Sequence, residues 1–482
     1  MKTNSLGFDA QALREKILDL AMRGKLVPQD PNDEPASVLL DKIKAEKAEL
    51  IKEKKIKKTK SLPPITDDEK PFDIPDSWEW VRLGDVINLV SGRDIPKKYH
   101  LSSKSLNSVP YITGASNINE DGQITISEWI KDPSVLVKRG TLLLSVKGTV
   151  GKIAKLEIPE AHIARQIMGI ENVYNLDLDF QKYFLESYIE KLKKKAKSMI
   201  PGVSREDILL ANIPVPPLSE QNRIAAKIAQ LFALLRKVET SVKQYAELQT
   251  LLKSKVLDLA MRGKLVKQDP NDEPASVLLE KIKAEKAELV KEKKIKKSKP
   301  LPPITDEKKP FDIPDSWEWV RLESVCDEIG DIDHKMPRKT INGQYLYISP
   351  KDFTKNGIDY DHAKRISEDD FKKLSQKFLP KKGDLIFPRY GTIGIIRKIN
   401  TERPVLVSYS CCLIRSNKNM SNDFIQYELK SKITKKEIDK YVNRSTQPNV
   451  GLKSIKSFLF PLPPLEEQKR IVSKIIELFS LL

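Results

Sequence analysis

The side chains that come nearest to a catalytic spacing are Asp68, Glu69 and Lys70 in PITDDEK, a string that recurs at 306–309. Two carboxylates beside a lysine can hold a metal ion for phosphodiester cleavage, provided a strand aims both at one point. Here they sit in a Pro- and charge-rich stretch with no such strand, so they read as linker. No GxxxxGK[ST] phosphate loop, no Gly-rich S-adenosylmethionine loop after a strand and no [DN]PP[YFW] occurs. Cys326, Cys411 and Cys412 form no CxxC pair and the four histidines are scattered, which argues against a disulfide framework or a zinc site. No catalytic residue and no metal-ligand set is assigned.

What remains is charge. Lys+Arg is 85 against Asp+Glu 67, a formal net charge of +18, which fits a polyanionic partner or plain solubility. Without an 18-residue apolar run or a secretory leader, the expectation is a soluble, cytoplasmic protein with no membrane partner. If the partner is DNA, basic and amide side chains in Gly/Pro-rich turns are the natural readers. Arg and Lys suit guanine, Asn and Gln suit adenine, and phosphate accepts either kind. The candidates in residues 84–213 are Arg93, Lys97 and Lys98 in SGRDIPKKYH, Asn117 in TGASNIN, Lys147 and Lys152 around GTVG, and Arg205 in IPGVSRED. Those in 323–460 are Lys335, Arg338 and Lys339 in DHKMPRKT, Lys351 in SPKDF, Arg389 and Tyr390 before GTIG, and Arg444, Gln447, Asn449 and Lys453 in NRSTQPNVGLK. For each of them a solvated surface position is the competing reading.

The elements that must position these residues are duplicated. At an offset of 239, residues 16–83 align with 255–322 and only eight of the 68 positions differ. Similarity returns at an offset of 247, where PVPPLSEQNRI (214–224) matches PLPPLEEQKRI (461–471). Two like frames thus flank two unlike inserts, and 482 residues leave room for about three globular units. In the first insert 109–113, 141–146 and 153–156 have strand composition and 178–197 is helical. In the second, 345–349, 384–388, 393–398 and 405–409 read as strands and 421–441 as a helix. A GT[VI]G turn lies between two strands in both, so the inserts are expected to share a fold.

The frame contains a long helix over about 219–262. Ile224, Leu231, Val238, Tyr245, Leu252 and Leu259 fall every seven residues, and Ile228, Leu235, Val242 and Val256 fill the alternating heptad positions, with Gln249 the polar exception. Such a helix is roughly 66 Å long and needs an apolar partner. The expected partner is cut in two: 466–482 matches its first half and 3–23 its second, which predicts a nearly closed pseudo-two-fold with the chain ends as halves of one antiparallel helix. After each LDLAMRGKLV comes a Lys-rich helix from Ala36, read here over 36–58 as solvated and loosely tethered, and then a Pro-rich linker.

This order of parts resembles the specificity subunit of type I restriction-modification systems. The resemblance covers nearly the whole chain and rests on PPLSEQ/PPLEEQ followed by heptads, the AMRGKLV ends, the WxWxxLxxV openings, and LVKRGTLLLSVKGTVGKIA echoed by FLPKKGDLIFPRYGTIGII. It implies an α+β pseudo-two-fold duplication in which two mixed target recognition domains are held apart by an antiparallel pair of long coiled-coil helices. The implied layout is 1–27 distal helix, 28–75 Lys-rich helix and linker, 76–218 first recognition domain, 219–266 central helix, 267–314 repeated Lys-rich helix and linker, 315–465 second recognition domain and 466–482 C-terminal helix. It further implies that the chain is no enzyme but recognises an asymmetric bipartite site in double-stranded DNA. Two methyltransferase subunits and the restriction subunits would be its partners, and S-adenosylmethionine, ATP and magnesium would be bound by those partners. Two other readings stay open: the recognition module of a related methylation-linked nuclease, and a non-catalytic coiled-coil scaffold whose inserts bind proteins.

Overall fold

The computed structural model describes residues 8–56, 61–174, 176–195, 202–340, 343–355, 357–444 and 447–482. The chain divides into two compact units, Met1–Gln244 and Tyr245–Leu482. The first starts with α1 (Ala10–Met22), α2 (Ala36–Lys52), β1 (Glu79–Arg82) and α3 (Leu83–Val86). Next come β2 (Asn88–Ser91), β3 (Val109–Ile112), β4 (Trp129–Ile130), β5 (Leu136–Lys138), β6 (Leu142–Ser145), β7 (Ile153–Lys155), β8 (Glu160–Ile163) and β9 (Ile167–Glu171). Then follow α4 (Leu178–Lys195), α5 (Arg205–Leu209), β10 (Asn212–Val215) and α6 (Leu218–Met261), whose second half belongs to the other unit.

The second unit repeats the plan. It has α7 (Ala275–Lys291), β11 (Glu318–Arg321), β12 (Cys326–Gly330), β13 (Tyr345–Ile348), β14 (Lys364–Ile366), α8 (Glu368–Leu374) and β15 (Leu385–Pro388). It continues through β16 (Arg397–Lys398), β17 (Val405–Val407), β18 (Cys411–Ser416), α9 (Asn422–Glu428), α10 (Lys432–Tyr441), α11 (Leu452–Lys456), β19 (Leu459–Leu462) and α12 (Leu465–Ser480). Sheet order β2-β9-β6-β7 in the first unit matches β12-β18-β15-β16 in the second, and β4-β3-β8-β5 matches β14-β13-β17. The two inserts therefore share a fold despite their unlike sequences.

Each insert is gathered at its neck. β1 pairs antiparallel with β10, Arg82 opposite Asn212, and β11 pairs with β19, Arg321 opposite Leu459. The Leu83 amide donates to the Ala211 carbonyl and Leu322 to Phe458, so the two ends of an insert meet within hydrogen-bond distance. The PPLxEQ motif locks this neck to the frame. Glu220 is 1% exposed and accepts from Trp78 Nε1 at 2.9 Å and Gln29 Nε2 at 2.6 Å. Gln221 donates to the Pro216 carbonyl and accepts from the Asp177 amide. Glu467, Trp317, Gln268 and Gln468 repeat the arrangement. Burial raises the carboxyl pKa of Glu220 and Glu467, and the indole and amide donors oppose that rise.

The RGKL glycines end their helices for a visible reason. Gly24 has φ +64° and Gly263 φ +68°, and a Cβ there would lie 2.5 Å from Pro75 Cγ and 2.4 Å from Pro314 Cγ. Only glycine fits both the left-handed turn and the proline. α1 runs antiparallel to the first half of α6: Arg14 pairs with Glu239 at 2.6 Å, while further along Gln29 reaches Glu220 and Arg223 reaches Asp33. In the second unit Gln249 donates to the Leu482 carbonyl, Lys253 lies over Phe479, and Gln268 reaches Glu467. The expected meeting of the chain ends involves residues 1–7, which lie outside the described residues.

Several expectations need correction. Of the heptad seam, Ile224, Ile228, Leu235 and Val242 are buried and Leu231, Val256 and Leu259 half-buried, but Val238, Tyr245 and Leu252 are 42%, 47% and 48% exposed. Seven residues fall short of two 3.6-residue turns, so a heptad stripe drifts about 20° per repeat around a straight helix. The buried line instead follows Ile224, Val242 and Ala260, spaced by 18, or five turns. The Lys-rich helix ends at Lys52, where Lys54 adopts φ 55° and Lys55 donates to the Leu50 carbonyl; residues 57–60 lie outside the described set. Nor is it loosely tethered, since Leu39, Leu40 and Ile43 join the core and Lys47 Nζ donates to the Gly84 carbonyl at 3.1 Å. The helix read over 421–441 is broken into α9 and α10, because Ser431 caps Ile433 and Thr434 and thereby starts a new helix. Thr434 also donates to Glu428, whose carboxyl is pushed up to about 8 by burial. The strand read over 393–398 shrinks to Arg397–Lys398.

Candidate nucleic-acid interface

In each unit a network of backbone hydrogen bonds gathers the candidate loops at one end of the insert. In the first, Arg93 N donates to Ile163 O at 2.9 Å and Gly92 N to Ile167 O at 3.3 Å, which ties the SGRD loop to the turn between β8 and β9. Ala164 N donates to Ile112 O beside TGASN, Val146 N to Gln166 O beside GTVG, and Val203 N to Val146 O, each at 2.9 Å. Buried His162 adds a strut: Val135 N donates to Nδ1, so Nε2 carries the proton and donates to Arg93 O at 2.8 Å. Burial lowers its pKa and keeps the ring neutral.

The second unit repeats three of these bonds, those of the β17–β18 turn and the GTIG turn. Ser408 N donates to Ile348 O at 2.7 Å, Arg389 N to Ser410 O at 2.8 Å and Val450 N to Arg389 O at 3.0 Å. Gly391 N also donates to Pro448 O at 3.1 Å, and isolated bridges link Tyr390 and Asn443 with Asn449. The GT[VI]G turn therefore abuts the loop before α5 or α11 in both units. Its first glycine has φ +71° at Gly148 and +67° at Gly391, with open space where a Cβ would be. Backbone geometry alone calls for glycine there.

The candidates divide by what their side chains do. Arg93, Lys97, Lys98 and Lys147 are exposed on the first unit, as are Lys335, Arg338, Lys339, Lys351, Arg444, Gln447 and Lys453 on the second. Lys98 Nζ lies 4.8 Å from the ring of exposed Tyr99, and Arg444 stands 3.6 Å from Asp439. Four others are engaged within the protein. Asn117 is 4% exposed; its Oδ1 accepts from Thr113 N, Thr113 Oγ1 and Gly114 N, and its Nδ2 donates to Thr125 O. Asp352 caps Ser349 in the same way, so Asn117 shapes its turn instead of facing outward. Arg389 is 5% exposed and held by Asp331 at 2.8 Å, with Tyr390 beneath its guanidinium. Lys152 Nζ donates to Ile118 O at 2.6 Å. Arg205 Nη1 donates to Leu89 O at 2.7 Å and Ser91 Oγ at 3.2 Å, and burial lowers its pKa. Half-buried Asn449 donates to Gln447 O at 3.2 Å, and Tyr390 is also half-buried.

Sequence reasoning passed over the turn at the centre of the cluster, residues 164–167 in the first unit and 408–411 in the second. It has no Gly or Pro to mark it, since AHIARQIMGIE and VLVSYSCCLIR read as nearly unbroken strand. Within DDEK, Glu69 is structural, accepting from Thr66 N and from Arg82 Nη2, while Lys70 pairs with exposed Asp67 at 2.6 Å. Lys308 occupies the place of Glu69 in the second frame, and there Arg321 keeps the Ser457 and Pro302 carbonyls, as Arg82 keeps those of Leu210 and Pro63.

Two like frames, each presenting exposed basic side chains on the loops of a two-sheet domain, make this a duplicated protein with two basic loop clusters. The sequence matches the family described as Type I restriction modification DNA specificity domain over residues 75–248 and 314–481. It is 34% identical to the specificity subunit of the type I restriction enzyme EcoAI and 31% identical to that of EcoEI, both from Escherichia coli; each alignment covers 98% of this chain and 89% of the relative. The fold is similar to a chain solved in a study of complex assembly and conformational transition of the type I restriction-modification system, with a TM-score of 0.58 and 21% identity over 85% of this chain and 92% of that one. The chain belongs to the family of type I restriction-modification specificity subunits, which are DNA-recognition components and not enzymes. Among the described residues no helix is long and apolar enough to cross a membrane.

Proposed function

We propose that the chain reads an asymmetric bipartite sequence in double-stranded DNA, each insert contacting one half, and positions methyltransferase and restriction subunits for adenine methylation or cleavage. The observation that carries this reading is the pairing of three equivalent hydrogen bonds around the GT[VI]G turn with exposed, mostly basic side chains on loops of unlike sequence: Arg93, Lys97, Lys98 and Lys147 on one insert, Lys335, Arg338, Lys339, Lys351, Arg444 and Gln447 on the other. One fold carrying loops of different sequence is what two different half-sites require. The helices of the frame serve in this proposal as an antiparallel pair that sets the spacer. S-adenosylmethionine, ATP and magnesium belong to the partner subunits, two of them methyltransferases, and the complex works in the cytoplasm.

The test is to purify the chain with its methyltransferase subunits, map the adenines they methylate, and titrate DNA binding against salt. The expected result is one bipartite sequence class and an affinity that falls steeply with salt, each phosphate contact adding about 0.9 to the slope of log K against log salt. Assembly without sequence preference, together with a flat salt response, would favour a protein-binding scaffold.

A further inference from the structure

The turn between β8 and β9 is hydrogen-bonded to three of the loops around it, yet points two unmatched side chains outward. The Asp94 carboxylate meets Arg165 twice, accepting its backbone N–H at 3.1 Å and standing 2.6 Å from its Nε in an ion pair. That contact tethers the Nε edge of a guanidinium whose side chain remains 70% exposed, with both Nη atoms uncommitted among the described residues. Gln166 next to it is exposed, and its amide makes no hydrogen bond among the described residues. The amide lies over Gly114, where an added Cβ would stand 2.5 Å from Oε1. Gly114 has an extended backbone at φ 175°, so it is the close approach of Gln166, and not the backbone, that leaves no room for a side chain there.

The same turn in the second unit carries other chemistry. Parallel pairing sets Ile112 beside Ile163 and Ile348 beside Val407, which equates Arg165 with Tyr409 and Gln166 with Ser410. Tyr409 packs against His334 with ring centroids 5.3 Å apart, and Ser410 Oγ is 3.0 Å from Ser408 Oγ. Neither offers a two-pronged polar edge. A buttressed guanidinium matches guanine O6 and N7, and a seated primary amide matches adenine N6 and N7, both in the major groove. Holding such groups in place before binding is what sharpens discrimination.

We propose that Arg165 and Gln166 are base-reading residues of the first insert, positioned by Asp94 and by the gap at Gly114. This rests on the DNA-recognition reading above. The experiment compares methylated-site maps on a random-sequence DNA library for the complex carrying the unmodified chain, Arg165→Ala, Gln166→Ala and Gly114→Ala. Each of the first two is expected to relax one base pair of a single half-site about 10- to 100-fold, leaving the other half-site and the salt slope unchanged. Gly114→Ala displaces only the far end of a flexible side chain and should reproduce the Gln166→Ala map, which guards against a general folding defect. Unchanged maps would overturn the assignment, as would a uniform loss across all sequences, which would mark phosphate contacts. A complex with the unmodified chain that shows no sequence preference would instead overturn DNA recognition itself.

Discussion

Asn117 is committed to its own turn. Three donors converge on its Oδ1 and its amide group closes onto Thr125 O, all of it buried. Asn117→Ala leaves the amides of Thr113 and Gly114 without their acceptor, a loss of about 1–3 kcal/mol. That is about 2–4 °C of melting temperature per kcal/mol for a unit of this size. Asn117→Asp keeps the acceptor, as Asp352 does for Ser349 in the second unit, but sets a carboxylate oxygen against Thr125 O, and is expected to recover only part of the loss in a thermal melt. The methylated-site map should keep both half-sites in either variant; a switch at one base pair would show that Asn117 reads DNA after all. Arg389 belongs with Asn117, since Asp331 holds its guanidinium in a buried pair.

Among the elements, α6 divides into positions that hold its own unit together and positions that do not. Ile228 is fully buried in the first core, whereas Leu252 is about half exposed. Ile228→Asp places an unpaired charge in an apolar core and should destabilise the first unit by several kcal/mol, seen as a lowered melting temperature. Leu252→Asp should leave the melt within about 0.5 kcal/mol of the unmodified chain, so any failure of that variant to retain methyltransferase in a pull-down reports on the surface and not on folding. A large drop in stability for Leu252→Asp would contradict the burial pattern. Helix existence was legible because Ser219 to Gly263 contains no breaker, but the buried face was not. Apolar residues recur on several sides of α6, and a heptad count selects those seven apart whether or not the helix supercoils. Inserts with one fold were legible from the paired GT[VI]G turns. The turn at 164–167 was not, because two strands of different sheets joined without Gly or Pro look like one strand in sequence.

At the scale of the molecule, each unit has its own apolar cores among the described residues. The ends of each insert are pinned by a short antiparallel pair whose outer strand belongs to the near-identical frame. An insert can therefore be exchanged at its neck, where its two ends meet. The neck also places the cut: β10 begins at Asn212, which accepts from Arg82 Nη1 at 2.6 Å, so a graft should replace 84–211 and keep Asn212 onward. A chain carrying a foreign insert of this fold at 84–211 is expected to change one half of the methylated sequence while the other half and the spacer stay fixed. If both halves change, base contacts in one unit depend on the other, and if only the spacer changes, the insert sets geometry and does not read bases. A graft cut at 213 instead would sever the strand that Arg82 holds, and should melt at a lower temperature than the graft cut at 211.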